Sequence, residues 1–386
     1  MTKLDQLIKD LCPNGVKVVK VSDICTLTRG IVMSKEFIRD NAGDYPVFSS
    51  QTENDGVLGK ISTYQYDGEY LTWTTDGANA GSVFYRKGKF SITNVCGLLT
   101  LRAPNINLRY LYYILGTTAP KYVNKGMGNP KLMSNVMAKV TIPVPPIAVQ
   151  NEIVRILDAF TELTAELTAE LTARKRQYNH YLNELLNSTN DNVKRMRLGD
   201  IAEIYDGTHQ TPKYVDNGIK FVSVENIKSL YDTNKYIEKT AYEKQKVKPR
   251  INDVFMTRIG SIGDCTVVDR NEDLAYYVTL ALIRPNQQIL LSRYLKYVIE
   301  SSIGKAELRK RTLVNAVPIK INLGDIGKIQ IPVPPLEEQE RIVKILDRFE
   351  ALCNDISVGL PAEIKARQQQ YEYYRTKLLT FEEVKA

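Results

Sequence analysis

Residues 142–146 read Ile-Pro-Val-Pro-Pro, and the same five residues return at 331–335, which lie 189 positions later. Proline fixes φ and lacks a backbone N–H, so each copy predicts an extended segment rather than a helix interior. After each copy the apolar residues recur at steps of three and four, the spacing of one helix face. The chain is therefore predicted to contain two copies of one module, a proline-rich lead-in followed by a helix.

The two helical segments match along most of their length. The positions of the first copy that recur 189 residues later are Gln150, Ile153, Val154, Ile156, Leu157, Asp158, Phe160 and Leu163. The positions that recur 193 residues later are Ala173-Arg174, Gln177-Tyr178, Tyr181 and Leu185-Leu186. The change of offset predicts four extra residues in the second copy, near Gly359-Leu360-Pro361, where we expect that helix to break or kink and Pro361 to start a new helical piece.

The first helix is predicted to be unusually long. From 149 to 186 it spans about 57 Å at 1.5 Å per residue, and polar turn-forming residues at 187–192 end it. A helix of this length with a narrow apolar stripe requires a partner helix. Its own repeat, 336–379, is the predicted partner.

A short tandem repeat lies within the first helix. Thr164-Ala165-Glu166-Leu167 is followed by Thr168-Ala169-Glu170-Leu171, and a partial unit at 160–163 precedes them. Two interpretations stay open. The units are either plain coiled-coil sequence, or a ruler whose number of units sets a distance.

The segments before the two modules, 15–141 and 193–330, are predicted to be mixed α/β. The two segments are similar at only a few positions. Gly30 corresponds to Gly207, and Arg109-Tyr110-Leu111 corresponds to Arg293-Tyr294-Leu295. Runs rich in β-branched and aromatic residues predict strands at 69–73, 82–85, 220–224, 253–257 and 277–282. Short amphipathic helices are predicted at 109–115 and 293–299.

Loops in both variable segments offer groups that can hydrogen-bond to base edges. The loops at 72–81 and 206–212 stand out, and basic side chains near them suit phosphate contacts. Turn chemistry and solvated helix faces explain the same residue types, so both interpretations stay open. The predicted DNA contacts are Gln51, Trp73, Thr75, Asn79, Lys125, Lys131, Thr208, His209, Gln210, Thr211, Lys213, Arg258, Arg309 and Arg311.

Composition permits nucleic-acid binding without establishing it. The chain has 52 Lys and Arg against 44 Asp and Glu, a formal net charge of +8. Its five cysteines lack a Cys-x-x-Cys spacing and no signal peptide is apparent, which predicts free buried thiols and a cytoplasmic protein. No apolar run approaches the roughly 20 residues that span a bilayer, so no membrane association is expected.

Catalytic motifs are missing from the sequence. It contains no Asn/Asp-Pro-Pro-Phe/Tyr tetrapeptide of adenine methyltransferases and no phosphate-binding loop of the Gly-x-x-x-x-Gly-Lys-Ser/Thr type. The two histidines, His180 and His209, have no metal-ligand spacing. We therefore expect a non-catalytic chain without a cofactor or metal of its own.

Two variable segments, each closed by Ile-Pro-Val-Pro-Pro and a long helix, resemble the specificity subunit of Type I restriction–modification enzymes. The Thr-Ala-Glu-Leu units and the Ala-Arg-x-x-Gln-Tyr pattern in both helices are most similar to the IC group. The resemblance implies an α+β fold: two mixed α/β target-recognition domains joined by two long antiparallel helices, with a pseudo-twofold internal repeat. The predicted boundaries are 1–146 for the first recognition domain, 147–190 for the central helix, 191–335 for the second recognition domain and 336–386 for the C-terminal helix.

The same resemblance implies function and partners in a prokaryotic cytoplasm. Each recognition domain would read one half of a bipartite asymmetric site in double-stranded DNA. The helices would set the spacer and dock two methyltransferase subunits, and residues 164–171 would be the spacer ruler. S-adenosylmethionine would belong to the methyltransferase subunits, and ATP and Mg to restriction–translocase subunits. The assembly would be an adenine-N6 methyltransferase and ATP-dependent endonuclease.

Two other interpretations stay open at the sequence level. A stand-alone DNA-binding adaptor would lack methyltransferase partners, and its helix face would not need covering. A coiled-coil scaffold would show no salt-dependent DNA binding, and it would leave two unlike variable segments without a role.

Overall fold

A computed structural model describes residues 2–126, 128–188, 193–354 and 359–384. The contacts divide the chain into two compact units, Met1–Glu166 with Ile364–Ala386, and Leu167–Glu363. Each unit thus contains a variable segment together with parts of the long helices. The domain boundaries drawn from the sequence separate the helices from the variable segments, and they stay a prediction.

The first unit combines short helices with a large sheet. Its helices are α1 (Lys3–Leu11), α2 (Val21–Ile24), α3 (Lys35–Asp40), α4 (Leu108–Thr118) and α5 (Ser134–Met137), with 3-10 turns at Glu53–Gly56 and Ala119–Tyr122. Its strands are β1 (Lys17–Lys20), β2 (Cys25–Arg29), β3 (Ala42–Phe48), β4 (Val57–Ile61), β5 (Tyr66–Thr74), β6 (Val83–Ile92), β7 (Cys96–Leu101) and β8 (Thr141–Val144). Six strands form one sheet in the order β2-β7-β5-β6-β3-β4, and β1 pairs with β8.

Both faces of this sheet are covered, because successive side chains of its inner strands point to opposite sides. Leu98 packs with Phe90 and Phe48 on one face. Leu99 packs with Leu71 and the residues of α4 on the other. The strand predicted at 69–73 is confirmed within β5, and the one predicted at 82–85 is confirmed from Val83 onward in β6.

The second unit follows the long helix α6 (Ile147–Ser188). Its helices are α7 (Leu198–Ile201), α8 (Lys239–Glu243), α9 (Ser292–Glu300), α10 (Ser302–Arg309) and α11 (Leu323–Ile326), with a 3-10 turn at Val224–Asn226. Its strands are β9 (Arg195–Arg197), β10 (Ala202–Asp206), β11 (Tyr214–Val215), β12 (Ile219–Val222), β13 (Tyr236–Ile237), β14 (Val254–Thr257), β15 (Cys265–Val267), β16 (Leu274–Tyr276), β17 (Leu280–Pro285) and β18 (Gln330–Pro332). The sheets run β10-β17-β14-β15 and β11-β13-β12-β16, and β18 pairs with β9.

Two predicted strands of the second unit are partly wrong. The run 220–224 is a strand only as far as Val222, and Val224 begins the 3-10 turn. The run 277–282 was expected to be continuous, yet Val278 and Thr279 form a turn and β17 begins only at Leu280. The turn is closed because the Leu280 N–H donates to the Tyr277 carbonyl at 3.0 Å. The Val278 N–H instead donates to Thr208, also at 3.0 Å, which ties the turn to a neighbouring loop.

The long helices match the sequence prediction in position. The proline-rich copies are extended, with β8 before α6 and β18 before α12 (Leu336–Asn354). A third helix, α13 (Leu360–Leu378), carries Pro361 in its first turn, where proline is tolerated. Residues 355–358, near the predicted break, and 189–192, part of the predicted turn, lie outside the described residues.

Each unit contains one part of the contact between the long helices. In the first unit Leu157 of α6 belongs to the same apolar core as Tyr371 and Leu378 of α13. In the second unit Leu182 and Leu186 of α6 share a core with Ile342 and Leu346 of α12. The predicted pairing of the central helix with its own repeat is therefore confirmed, one unit at a time.

Candidate nucleic-acid interface

The repeat anchors each recognition domain to its helix by a buried glutamine. In the first unit Gln150 accepts a hydrogen bond from the Asn107 N–H at 2.8 Å, and its amide donates to the carbonyls of Asn105 and Pro145 at 3.1 and 2.7 Å. Both lone-pair and N–H capacity of the side chain are thereby used inside the protein.

Gln339 makes the same three contacts in the second unit. It accepts from the Leu291 N–H at 2.9 Å and donates to the carbonyls of Ile289 and Pro334, both at 2.8 Å. Both glutamines are fully buried. In both units, therefore, the same glutamine contacts attach the long helix to the loop that precedes a short helix.

In each unit an aspartate on a long helix binds an arginine and a tyrosine of a short helix. In the first unit Asp158 pairs with Arg109 and accepts from the Tyr113 hydroxyl at 2.5 Å. Burial, followed by the Asp158 hydrogen bond, raises the pKa of Tyr113 above its ordinary value. The hydroxyl therefore stays protonated as a donor at neutral pH.

The corresponding group in the second unit is Asp347. It pairs with Arg293 at 2.9 Å and accepts from Tyr297 at 2.6 Å. The predicted short helices at 109–115 and 293–299 are confirmed as α4 and α9, and these contacts explain why their arginine and tyrosines recur.

A glycine in each unit lets two backbones approach closely. A Cβ on Gly30 would lie 2.1 Å from the Ile92 carbonyl oxygen, and a Cβ on Gly207 would lie 2.5 Å from the backbone of Tyr277. The residue after each glycine forms an isolated parallel bridge, Ile31 with Thr93 and Thr208 with Tyr277. The correspondence of Gly30 with Gly207 thus marks one structural position in both repeats.

Each unit also has a glycine loop tied to a second loop. The Gly77 N–H donates to the Pro130 carbonyl at 3.0 Å, and the Gly260 N–H donates to the Ile319 carbonyl at 2.9 Å. Both glycines have positive φ, 97° and 87°, which favours glycine. We name residues 51–56, 74–81 and 130–132 the first loop cluster, and residues 206–211, 257–263, 276–279 and 319–321 the second loop cluster.

Within the first loop cluster, Asn79 and Lys131 are exposed. The Asn79 amide donates to the Thr52 hydroxyl at 2.9 Å, and the Lys131 ammonium lies 3.8 Å from Asp76. Gln51 is half-buried and donates to the Val57 carbonyl. Lys125 is exposed in the adjoining segment. Contacts between these loops bring the four predicted DNA contacts into one part of the first unit.

Two predicted contacts of the first unit need correction. Trp73 is fully buried, and its indole N–H donates to the Leu132 carbonyl at 3.0 Å. Thr75 is also fully buried, and its hydroxyl donates to Asp76 at 2.6 Å. Neither side chain can reach a base in this conformation, so we assign both to the core beneath the loop cluster rather than to DNA contact.

The loop cluster of the first unit rests on a buried arginine. Arg86 of β6 is 3% exposed and donates to Asp55 at 2.7 Å, while its guanidinium lies 3.7 Å from the centre of the Phe48 ring. Burial lowers the pKa of Arg86 below its usual value, and Asp55 opposes that shift. Asn54 and Asp55 both adopt positive φ, 49° and 53°, a conformation rare for residues other than glycine.

In the second loop cluster, the predicted contacts Thr208, His209, Gln210 and Thr211 form one exposed or half-buried stretch, and Lys213 is exposed just after it. His209 Nε2 lies 2.7 Å from Asp206, and the Thr211 hydroxyl lies 3.4 Å from that of Tyr277. The stretch is therefore held in place while presenting polar side chains outward.

The three predicted arginines of the second unit differ in placement. Arg309 is exposed at the end of α10. Arg311 is committed to internal contacts, with Glu307 at 2.8 Å and the Lys328 carbonyl at 2.9 Å. Arg258 is 9% exposed, 3.5 Å from Asp206.

Asp206 and Asp76, which bind residues of the loop clusters, were not predicted from the sequence. Their positions next to Gly207 and Gly77 were the only signal available for them.

The described residues hold neither a metal cluster nor a membrane helix. Among them, no group of three His, Cys, Asp or Glu side chains is arranged to hold a metal ion. No described helix is both long and apolar enough to cross a bilayer. The five cysteines, all within the described ranges, are free and buried, as predicted.

Comparison with known families decides the assignment. The family model for the Type I restriction modification DNA specificity domain matches residues 13–174 and again 190–366. The chain belongs to the Type I specificity-subunit family. This confirms the resemblance, and it favours a DNA specificity subunit of a Type I restriction–modification system over an adaptor or a scaffold.

Relatives agree with this assignment. A Mycoplasma pneumoniae protein named as a type I specificity subunit, S.MpnORF507P, is 32% identical over 370 residues, which cover 94% of this chain and 97% of that protein. The specificity subunit of the Type I restriction enzyme MpnII of the same organism is 42% identical over 179 residues, 45% of this chain and 54% of its own length. The first similarity extends over both repeats.

Solved structures show the same fold. The crystal structure of a type I restriction–modification S subunit from M. genitalium has a TM-score of 0.60 at 13% identity, covering 94% of this chain and 96% of that one. A chain from a structural study of complex assembly and conformational transition of the type I system has a TM-score of 0.59 at 16% identity, covering 95% and 98%. The predicted fold class, two mixed α/β recognition domains joined by long helices, is confirmed.

Proposed function

We propose that this specificity subunit reads a bipartite DNA site, with the first unit reading one half-site and the second unit the other. The observation that carries the proposal is the repeated anchoring by Gln150 and Gln339, which fixes two different recognition domains to one kind of helix in one way. Domains that share an attachment but differ in their exposed loops suit two unlike targets at a fixed separation.

The DNA contacts are proposed to lie in the two loop clusters. Their exposed amide, hydroxyl and imidazole groups can bond to base edges, and the exposed cations near them, Lys125, Lys131, Lys213 and Arg309, suit phosphates. Each well-matched position contributes roughly 1–3 kcal/mol of discrimination. One small domain therefore discriminates weakly, and joining two makes the second contact intramolecular, which multiplies selectivity.

The helices are proposed to dock two methyltransferase subunits, one for each copy of the module, because one repeated surface can bind two identical partners. The chain itself would be non-catalytic. S-adenosylmethionine would be held by the methyltransferase subunits, and ATP and Mg by restriction–translocase subunits. Methylation of adenine N6 requires that the base leave the stack, and that step would belong to the methyltransferase.

The Thr-Ala-Glu-Leu units at 164–171 are proposed to set the spacer. They lie in α6, which begins in the first unit and continues into the second. One more unit would add about 6 Å of helix at 1.5 Å per residue. DNA rises roughly 3.4 Å per pair, so a longer helix fits a gap longer by one or two base pairs.

The test is the methylation pattern of the assembled complex. The gene is expressed with its neighbouring methyltransferase gene in a host without adenine methylation, and modified adenines are mapped by long-read sequencing. The proposal expects a split motif with two fixed ends and an unspecified gap. A continuous motif, or no methylation from a methyltransferase shown to be active, would overturn it.

A further inference from the structure

Arg258 occupies a junction of the second loop cluster where its backbone is fixed. Its N–H donates to the Thr279 carbonyl and its carbonyl accepts from the Ile321 N–H, both at 3.0 Å. Its side chain is 9% exposed, and the Nη1 atom lies 3.5 Å from Asp206 Oδ1. In the part of the chain that the structure describes, Arg258 Nε, Arg258 Nη1 and Asp206 Oδ1 have no hydrogen-bond partner.

This arrangement leaves a charged group short of partners. A guanidinium stays protonated in proteins and carries five N–H donors, so burying it without hydrogen bonds is costly. Asp206 does not supply them: its Oδ1 lies 3.5 Å from Nη1 without a hydrogen bond, and its Oδ2 is bound to His209 Nε2 at 2.7 Å. Arg258 and His209 thus share one carboxylate, and Arg258 is the less firmly held.

The first unit has no arginine at this place. The N–H of Leu132 donates to the Thr75 carbonyl at 2.9 Å, as the Ile321 N–H donates to that of Arg258, so Thr75 is the structural counterpart of Arg258. The counterpart of Asp206, one residue before the shared glycine, is Arg29, whose Nε donates to the Asn94 carbonyl at 3.0 Å. The loosely held guanidinium is therefore a property of the second recognition domain.

We propose that Arg258 is a specificity-determining residue that binds the major-groove edge of a guanine in the half-site read by the second unit, with Asp206 and His209 as positioning residues. On DNA binding the guanidinium exchanges Asp206 for O6 and N7 of the base, the commonest specific arginine contact. The carboxylate keeps His209 as its partner. This inference rests on the proposed bipartite reading and names one base within it.

A base contact fits the placement better than a phosphate contact. Phosphates are commonly bound by exposed cations, and Arg309 is exposed. Arg258 instead projects from a backbone that hydrogen bonds tie to Thr279 and Ile321, and its side chain lies beside Asp206. A planar fork carried on a fixed backbone gives geometric discrimination, which a flexible cation does not.

The experiment uses the full chain co-expressed with its methyltransferase, and compares methylated motifs of the wild type with those of Arg258→Lys and Arg258→Gln. We expect one guanine of the second half-site to become unspecified, with a roughly ten- to hundred-fold loss of discrimination at that position. The first half-site stays unchanged and serves as an internal control. Thermal unfolding of the complex shows whether each variant folds. Arg258→Lys keeps the positive charge beside Asp206, so it still tests the inference if Arg258→Gln folds poorly.

Two further variants separate the alternatives. Arg309→Gln removes an exposed cation, and we expect weaker binding to all sites with an unchanged motif. Asp206→Asn should keep guanine as the preferred base but lower the discrimination at that position, because the base-contacting group is intact while the carboxylate that positions it is lost. The inference is overturned by a wild-type second half-site without a G·C pair, by unchanged motifs in folded Arg258 variants, or by a uniform loss of affinity, which indicates a phosphate contact. A wild-type motif that is not split contradicts the proposed function instead.

Discussion

The rings of Phe160 and Tyr374 stack in the first unit, with centroids 5.6 Å apart and planes at 25°. In the second unit Tyr181 stacks on Phe349 at 5.2 Å and 28°. Phe160 corresponds to Phe349 in the repeat, and Tyr181 corresponds to Tyr374. The two stacks are therefore one contact made twice, with the roles of the helices exchanged, as an antiparallel pair with twofold pseudosymmetry requires.

Replacing Phe160 by alanine is expected to destabilise the first unit by about 1–2 kcal/mol, because the half-buried Phe160 ring loses both apolar burial and its contact with Tyr374. Thermal or chemical unfolding of the chain with its partner measures the effect. Phe37→Ala is a matched control, since Phe37 is 44% exposed, and it should change stability little. Equal effects of the two variants would contradict the assigned stack.

Gln150→Leu and Gln339→Leu should each destabilise their unit by about 2–4 kcal/mol, because two carbonyls and one N–H lose their partners inside the protein. Denaturant unfolding gives the values. Gln369→Leu, on the exposed surface of α13, is the control for the change of residue type. A stable Gln150→Leu variant would show that the buried amide is not an anchor.

Glu300 predicts a pH dependence in the second unit. Burial raises the pKa of this carboxyl to about 7, with Lys296 opposing the shift. Since the folded-state pKa lies above that of the unfolded chain, the contribution of Glu300 is fully present below the unfolded pKa and is lost as pH rises through about 7.

Glu300→Gln mimics the protonated form and keeps the acceptor for the Cys265 N–H, which lies 3.0 Å away. The variant should gain stability over the wild type at pH 8, on the order of 1–3 kcal/mol, and little at pH 5. Unfolding at both pH values measures the difference, and Glu243→Gln, on the exposed surface of the same unit, is the control. A gain that does not vary with pH would contradict the assigned ionisation.

The periodic features of the chain could be predicted from sequence because they depend on local rules. The prolines at 143, 145 and 146 and the three- and four-residue spacing after them determine where α6 begins and which face it buries. The match of Gly30 with Gly207 was visible for a similar reason, since only glycine permits the close backbone approach found at both positions.

Side-chain exposure could not be predicted in the same way. Trp73 and Thr75 lie in a loop sequence rich in hydrogen-bonding residues, yet the chain around Leu132 folds over them. The pairing of Asp206 with Arg258 joins residues far apart in sequence that no periodicity relates. These contacts depend on which loops meet, which is a tertiary property.

The central claim is that one chain holds two DNA readers at a separation set by α6, and the most direct measurement compares two methylated motifs. One comes from the wild type, the other from a chain in which residues 168–171 are duplicated. We predict the same two half-sites with a gap longer by one or two base pairs, since one added unit lengthens the helix by about 6 Å. An unchanged gap, or a motif without two separate halves, would contradict the account.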